Sequence, residues 1–182
     1  MTKIGVLMMD LPQLAKRLRK EKDKFMKDDS NSPLTPKQKK KFKKIDYFPY
    51  EPKYRFEGAI EHFEDKTEVE IGTNKGELRK YRLFGKFSFE INGQQLALHI
   101  FQSLDETHFF VPFMDATSGN ETYGAGRYVE LEELEPDIYV LDFNFAYNPY
   151  CAYNDSWSCP LVPPINRLPL RVEAGEKTFA KK

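Results

Sequence analysis

The sequence predicts a mainly β protein, an antiparallel β-barrel or strongly bent β-sandwich of about eight strands, preceded by a helical N-terminal arm. Three observations support this fold class. Apolar and polar residues alternate with a period of two after Tyr54, an Asn92-Gly93 pair separates two such runs, and residues 10–26 follow the helical period. The length of 182 residues suffices to bury one core of ordinary size.

The N-terminal arm, residues 1–45, is predicted to contain two helices. The first begins at Asp10, whose carboxylate can accept amide hydrogen bonds from the first turn, with Gln13 completing a capping box. A break over residues 28–36 precedes a short basic helix over 36–44. The apolar face of the first helix is expected to pack on the body and consists of Leu11, Leu14, Leu18, Phe25 and Met26.

The net charge differs in sign between residues 1–45 and the rest of the chain. Residues 1–45 hold fourteen Lys and Arg against five Asp and Glu, a net +9, so the remainder carries −9 because the chain is neutral overall. This asymmetry favours an arm that folds against the body. The basic run 37–44 lacks an aromatic stacking platform, so we interpret it as a solvated segment and expect no nucleic-acid partner.

The body, residues 46–182, is predicted to be one β domain with a proline-rich C-terminal wrap. A turn at residues 74–76 joins strands 67–71 and 80–84. The Asn92-Gly93 turn joins strands 87–91 and 96–100, because Asn-Gly supplies the positive φ angles of a two-residue hairpin. The remaining predicted strands are 108–114, 127–131, 138–145 and 168–172.

The first candidate site segment runs from Asp115 to Arg127. Its glycines permit close backbone approach, and the Arg127 guanidinium can bind a carboxylate or phosphate with two parallel hydrogen bonds. Asp115 is a candidate catalytic base, and Thr117 a candidate ligand contact. The alternative is a structural turn in which Asp115 and Thr117 make local hydrogen bonds and Arg127 pairs with an internal acid.

A second segment supplies Asp142, Asn144 and Asn148. If residues 138–145 form one strand, Asp142 and Asn144 share a face, and Asp142 can pair with Arg127 beside a ligand. Asp142 is then the candidate general base, with Asn144 and Asn148 orienting the ligand. The alternative is a polar face that meets solvent or a structural ion pair.

The two cysteines enclose a seven-residue segment, which is wider than a redox C-x-x-C pair. Cys151 is a candidate nucleophile if a base or cation lies beside it. A disulfide with Cys159 and a pair of inert buried thiols are the alternatives. The three histidines stand at no recognised zinc spacing, so no metal is predicted.

Aromatic residues are dense between 123 and 157, which is typical of a small-molecule cavity as well as of an ordinary core. Each tyrosine offers an apolar ring with one polar tip. The candidate ligand contacts of this kind are Tyr123, Tyr147 and Tyr153.

Three segments carry a resemblance to a known family: VPFMDATSGNETYGAGRY, LDFNFAYNPYCAYNDSWSCP and INRLPLRVEAGEK. With them and with EKDKF, SPL and YFPYEPKYRF, the chain resembles the DUF1684 proteins, a bacterial and archaeal family of unknown function. The resemblance covers nearly the whole chain. It implies no particular reaction and no cofactor, so the cofactor stays unknown.

Three functions follow from these residues. The favoured one is binding of a small polar or anionic molecule in a β cavity lined by Arg, Asp, Asn and Tyr. The alternatives are a hydrolase or group-transfer enzyme with an Asp base and an Arg that stabilises negative charge, and an interaction protein that uses its basic arm.

The expected location is the cytoplasm, with no membrane partner. The apolar run over residues 4–9 is shorter than the core of a secretion signal. A homo-oligomer could form through the helical arm, which has the charge to dock on a second body as well as on its own.

Overall fold

The computed structural model describes residues 10–65, 67–105 and 107–180. Residues 1–9 of the predicted arm, including its apolar run 4–9, lie outside the described residues. The described chain is mainly β, with antiparallel sheets and N-terminal helices. The predicted division at residue 45 stays a prediction.

Two α-helices form the described part of the arm: α1 (Leu11–Asp28) and α2 (Pro36–Lys41). Asp10 holds the predicted N-cap position of α1, but its side chain makes no capping hydrogen bond. The capping box is found instead at α2, where the Thr35 side chain accepts from the Gln38 amide and the Gln38 side chain accepts from the Thr35 amide.

Thr35→Ala is expected to lower the free energy of unfolding by about 1 kcal/mol, because it removes the acceptor at the first turn of α2. Thr35→Ser, which keeps the hydroxyl, is the matched control. Urea unfolding followed by circular dichroism measures both. Equal loss in the two variants would show that the methyl group, and not the cap, matters.

The inward face of α1 matches the predicted one in part, since Met26 is buried and Leu11, Leu14 and Phe25 are half-buried. Its buried residues are Ala15 and Met26, and between them the half-buried Arg19 and Lys22 continue the same helical stripe towards the body. Leu18 is 38% exposed. The helix therefore presents two cations to the body in addition to its apolar residues, whereas Leu18 of the predicted face is exposed.

The strands of the described chain form two antiparallel sheets. Their bounds are β1 (Arg55–Gly58), β2 (Ile60–His62), β3 (Glu68–Gly72), β4 (Leu78–Ile91), β5 (Gln94–Ser103), β6 (Phe109–Phe113), β7 (Arg127–Val129), β8 (Leu131–Glu135) and β9 (Ile138–Asp142). One sheet has the order β1-β9-β8, and the other has the order β2-β4-β5-β6-β7, with β3 also paired to β4.

Both predicted hairpins are confirmed. Asn92 and Gly93 have φ of 54° and 78° between β4 and β5, the left-handed values that a two-residue turn requires. The turn at residues 74–76 joins β3 to β4, with Gly76 at φ 79°. Strand β4 is continuous from Leu78 to Ile91, so the two strands predicted in this range are one.

The predicted strand over 168–172 does not form. Its backbone groups bond elsewhere: the Val172 amide donates to Asp115, the Val172 carbonyl accepts from Arg127, and the Leu170 carbonyl accepts from the Ala116 amide. Pro169 contributes no donor. This part of the predicted wrap is therefore held by isolated hydrogen bonds to side chains and backbone, and not by the regular hydrogen bonds of a β-ladder.

Both sheets contribute to one hydrophobic cluster. Phe143, which follows β9, has ring contacts with Phe56 of β1, Phe89 of β4 and Phe113 of β6, with ring centroids 5.0–6.1 Å apart. The described strand pairings do not close either sheet on itself. The choice between barrel and sandwich stays a prediction.

Candidate functional site

Arg127 and Asp115 form an ion pair with no exposed side-chain surface. Arg127 Nη2 lies 3.2 Å from Asp115 Oδ1 and 3.0 Å from the Val172 carbonyl. Nη1 donates to the carbonyls of Ala174 and Glu176. The guanidinium is therefore occupied by the C-terminal segment, which supports the structural alternative for this pair.

Thr117 also bonds locally within the turn, whereas Arg127 Nε is buried without a hydrogen-bond partner among the described residues. Thr117 donates to Asp115 from its amide and its hydroxyl, and its hydroxyl lies 2.9 Å from that of Thr122. Gly126 must stay glycine, since its φ is 94° and an added Cβ would lie 2.6 Å from the Phe113 carbonyl. The turn is thus built to hold Arg127 in place.

Asp142 does not meet Arg127, contrary to the predicted pairing. Strand β9 ends at Asp142, and residues 143–145 form a 3-10 helix that Asp142 caps by accepting from the Asn144 amide at 2.9 Å. Asn144 also donates from its side chain to Asp142 at 2.8 Å and bonds the backbone of Glu51 in both directions. The prediction that Asp142 and Asn144 share a strand face is wrong, because the strand ends at Asp142 and a 3-10 helix follows.

Burial raises the pKa of the Asp142 carboxyl, although hydrogen bonds from Asn144 oppose the shift. The Tyr50 hydroxyl lies 3.4 Å from Asp142 Oδ2, and burial raises the pKa of Tyr50 to about 12. Asp142 therefore has the raised pKa expected of a candidate general base, but its neighbour is Tyr50 and not Arg127.

The buried carboxylate of Glu176 is the centre of a polar cluster that the sequence did not predict. Only 1% of the residue is exposed. Its Oε2 accepts from the Tyr153 hydroxyl at 2.5 Å and from the Asn148 amide at 2.8 Å, and its Oε1 lies 2.5 Å from Lys22 Nζ. Burial raises the pKa of Tyr153, so its phenol stays a hydrogen-bond donor.

A small cavity of about 90 Å³ lies between α1 and the body beside this cluster. Its charged and polar wall consists of Arg19, Lys22, Tyr47, Asn144, Tyr147 and Glu176. Arg19 stacks on Tyr47 at 4.4 Å, and Lys22 lies 5.0 Å from the Tyr147 ring centroid. Arg19 Nε is buried with no acceptor among the described residues, so it is available to water or a small anion.

A larger cavity of about 350 Å³ lies on the other side of Tyr147. Its aromatic wall consists of Tyr128, Tyr147, Tyr150 and Trp157, and its polar wall of Arg79, Asn148, Ser158 and Cys159. Tyr150 and Trp157 meet edge to face at 4.9 Å. Arg79 reaches this wall from β4 and donates to the Ser158 carbonyl at 2.8 Å.

Neither cysteine forms a disulfide within the described part of the chain, and both are buried near the larger cavity. Cys159 forms part of its wall, whereas Cys151 lies behind it with its sulfur 3.7 Å from the Tyr123 hydroxyl. Arg127, the cation considered from sequence, binds Asp115 and the backbone carbonyls of Val172, Ala174 and Glu176.

The predicted site residues thus separate into neighbouring groups. Tyr147 and Asn148 line the larger cavity, and Asn144 and Tyr147 line the smaller one. Asp115, Thr117 and Arg127 form the buried turn instead. Sequence reasoning did not predict four residues that line the cavities: Arg19, Lys22, Arg79 and Glu176. The signals in the sequence were the cations on α1 and the last residue of the AGE segment.

Within the described ranges, no group of three or more His, Cys, Asp or Glu side chains is placed to hold a metal ion. No helix of the described chain is long and apolar enough to cross a membrane.

The described chain belongs to the class of mainly β proteins with antiparallel sheets and N-terminal helices. The chain belongs to the family described as protein of unknown function (DUF1684), whose sequence pattern matches residues 40–177.

A solved structure with the same fold is an uncharacterised protein of Haloarcula marismortui, determined by solution NMR. It is 38% identical, the match covers 91% of this chain and 93% of that one, and the TM-score is 0.71. A search of curated proteins finds no match.

Proposed function

We propose that the protein binds a small molecule with a flat apolar part and an anionic group in the larger cavity. The observation that carries this proposal is the combination of Tyr147, Tyr150 and Trp157 with Arg79 around about 350 Å³ of space. That volume lies at the lower end of the range for small-molecule sites, which are mostly apolar with a few oriented polar groups.

The chemistry of the wall supports this ligand class. Tyr150 and Trp157 offer aromatic edges and faces for a planar group. Arg79 uses one donor on the Ser158 carbonyl, and a guanidinium has five N–H donors, so donors remain for a carboxylate or phosphate. Asn148 and Ser158 add polar contacts that would fix the orientation of the ligand.

The fold and arm fit the same proposal. The shared aromatic cluster around Phe143 supports the bent-sandwich form of the predicted body. Lys22 and Arg19 are engaged by Glu176, Tyr47 and Asn144 of the same chain, which favours an arm that completes the ligand-binding body over one that captures a partner.

The hydrolase alternative now rests on Asp142. Asp115 already accepts from Arg127, Thr117 and Val172, so we assign it a structural role. Burial raises the pKa of Asp142, although the hydrogen bond from the Tyr50 phenol opposes the shift, and a raised pKa is a property of a general base. The binding function is favoured because Asp142 contributes to neither of the two cavities described above.

Trp157 is the only tryptophan of the chain and is 39% exposed, so its fluorescence reports directly on the larger cavity. A screen of aromatic carboxylates and phosphates is expected to shift its emission. Arg79→Met is expected to weaken binding about tenfold by removing a charge-assisted hydrogen bond. Calorimetry gives the dissociation constants.

Lys80→Met is the matched control, because neighbouring strand residues point to opposite faces. It removes the same charge one position along β4 and should leave affinity unchanged. Native mass spectrometry of protein purified from its own cells tests for a retained ligand. Equal weakening by Arg79→Met and Lys80→Met would contradict the assigned site.

A further inference from the structure

The two cysteines beside the larger cavity belong to one site. The Cys151 amide donates to Cys159 Sγ at 3.4 Å. Since the N–Cα bond is about 1.5 Å, this sulfur lies within about 5 Å of Cys151 Cα, so the two cysteines are direct neighbours. Asn74 holds the Cys159 backbone by two hydrogen bonds, at 2.7 and 3.1 Å.

The two thiols have different surroundings. Cys159 shares the cavity wall with Arg79 and accepts an amide hydrogen bond, and both features stabilise a thiolate. The hydrogen bond from the Cys151 side chain lowers the pKa of Cys159, and the same contact raises the pKa of Cys151. Cys159, and not the Cys151 suggested by the sequence, is therefore the better placed nucleophile.

We propose that Cys159 and Cys151 form a hydroperoxide-reactive dithiol site, with Cys159 as the attacking thiol and Cys151 as the resolving thiol. The cavity admits the oxidant to Cys159, while Cys151 lies directly behind it. A second thiol within reach is what converts an oxidised cysteine into a disulfide before further oxidation.

The reaction balances in two steps. The Cys159 thiolate attacks one oxygen of the hydroperoxide, an S–O bond forms, the O–O bond breaks, and the leaving alkoxide or hydroxide takes a proton from solvent. Cys151 then attacks the Cys159 sulfur, an S–S bond forms, and the departing hydroxide takes the Cys151 proton to give water. The two thiols supply the two electrons that reduce the peroxide, and a dithiol reductant restores them.

This proposal uses the same cavity as the proposed function but requires no ligand. It can therefore fail while ligand binding stands, and the reverse also holds. If both are correct, disulfide formation will change the cavity wall at Cys159, and the Trp157 emission will change on oxidation in the absence of any ligand.

The test uses the reduced full-length protein, hydrogen peroxide, intact mass spectrometry and differential alkylation. The wild type is expected to lose the mass of two hydrogen atoms, to protect both thiols from alkylation, and to recover with dithiothreitol. Cys151→Ser should accumulate a sulfenic acid at Cys159 that dimedone traps. Cys159→Ser should oxidise at least about tenfold more slowly than the wild type.

Arg79→Met is expected to slow oxidation and Lys80→Met to leave its rate unchanged, since only Arg79 lies in the cavity wall. Wild-type oxidation rates in Cys159→Ser, with circular dichroism showing a folded protein, would overturn the assignment of the attacking thiol. If either cysteine variant fails to fold, the wild-type experiment is sufficient to test the proposal. Two wild-type thiols that still react with the alkylating agent after peroxide treatment would overturn the site.

Discussion

Arg127→Met is expected to destabilise the protein by about 3–5 kcal/mol, because it leaves the buried Asp115 carboxylate without its counter-charge. The replacement also removes the donors to Val172, Ala174 and Glu176, whose carbonyls lose their guanidinium contacts. Burial of an unpaired carboxylate is the dominant cost, since methionine fills much of the volume of the arginine stem. The free energy of unfolding is measured from urea denaturation followed by circular dichroism.

Arg171→Met is the matched control. Arg171 pairs with Glu121 and Glu173 on the surface, where solvent screens the interaction, so little change is expected. A loss for Arg127→Met no larger than that for Arg171→Met would show that the buried pair adds nothing beyond a surface pair. A large loss only for Arg127→Met would support a structural role for a residue that the sequence offered as a ligand contact.

Local patterns predicted the parts of the fold that local chemistry determines. Asn92-Gly93 specifies its hairpin because the left-handed backbone of the turn is a property of those two residues. The helix α1 begins next to Asp10, as predicted, although the Asp10 side chain makes no capping hydrogen bond; Pro12 in the first turn has a backbone angle that suits a helix start. In each case neighbouring residues suffice to select the conformation.

The site depended on contacts between distant parts of the chain, and sequence reasoning was less successful there. The apolar period of α1 indicated Leu18 as an inward residue, but Glu176 and Asn144 recruit Lys22 and Arg19 instead. A charged residue on an amphipathic helix is ordinarily solvated, so only knowledge of the buried carboxylate could have reversed the prediction.

The C-terminal segment shows the same limitation in another form. Residues 168–172 alternate as a strand would, yet Asp115 and Arg127 satisfy the Val172 backbone in place of a neighbouring strand. The side chains that looked like a ligand site are those that position this segment. Their polar character is explained by the need to satisfy irregular buried backbone.

Glu176→Gln is expected to lower stability by about 2–3 kcal/mol and to loosen α1 from the body. The amide keeps the shape of the side chain, and its oxygen can still accept from Tyr153 and Asn148, but it removes the charge and places an N–H donor opposite Lys22 Nζ. Since each 1.4 kcal/mol is a factor of about ten, amide exchange in α1 should accelerate by roughly thirtyfold to a hundredfold where local opening limits it. Hydrogen exchange with mass spectrometry measures this change segment by segment.

Glu173→Gln provides the matched control, because Glu173 is exposed and pairs only with Arg171 among the contacts described here. Lys22→Met should reproduce the loosening of α1, and the double variant should lose less than the sum of the two single losses, because both remove the same ion pair. If α1 exchanges at the wild-type rate in Glu176→Gln, the carboxylate does not hold the arm. The arm would then depend on its other contacts, among them buried Met26 and the contacts of Arg19 with Tyr47 and Asn144.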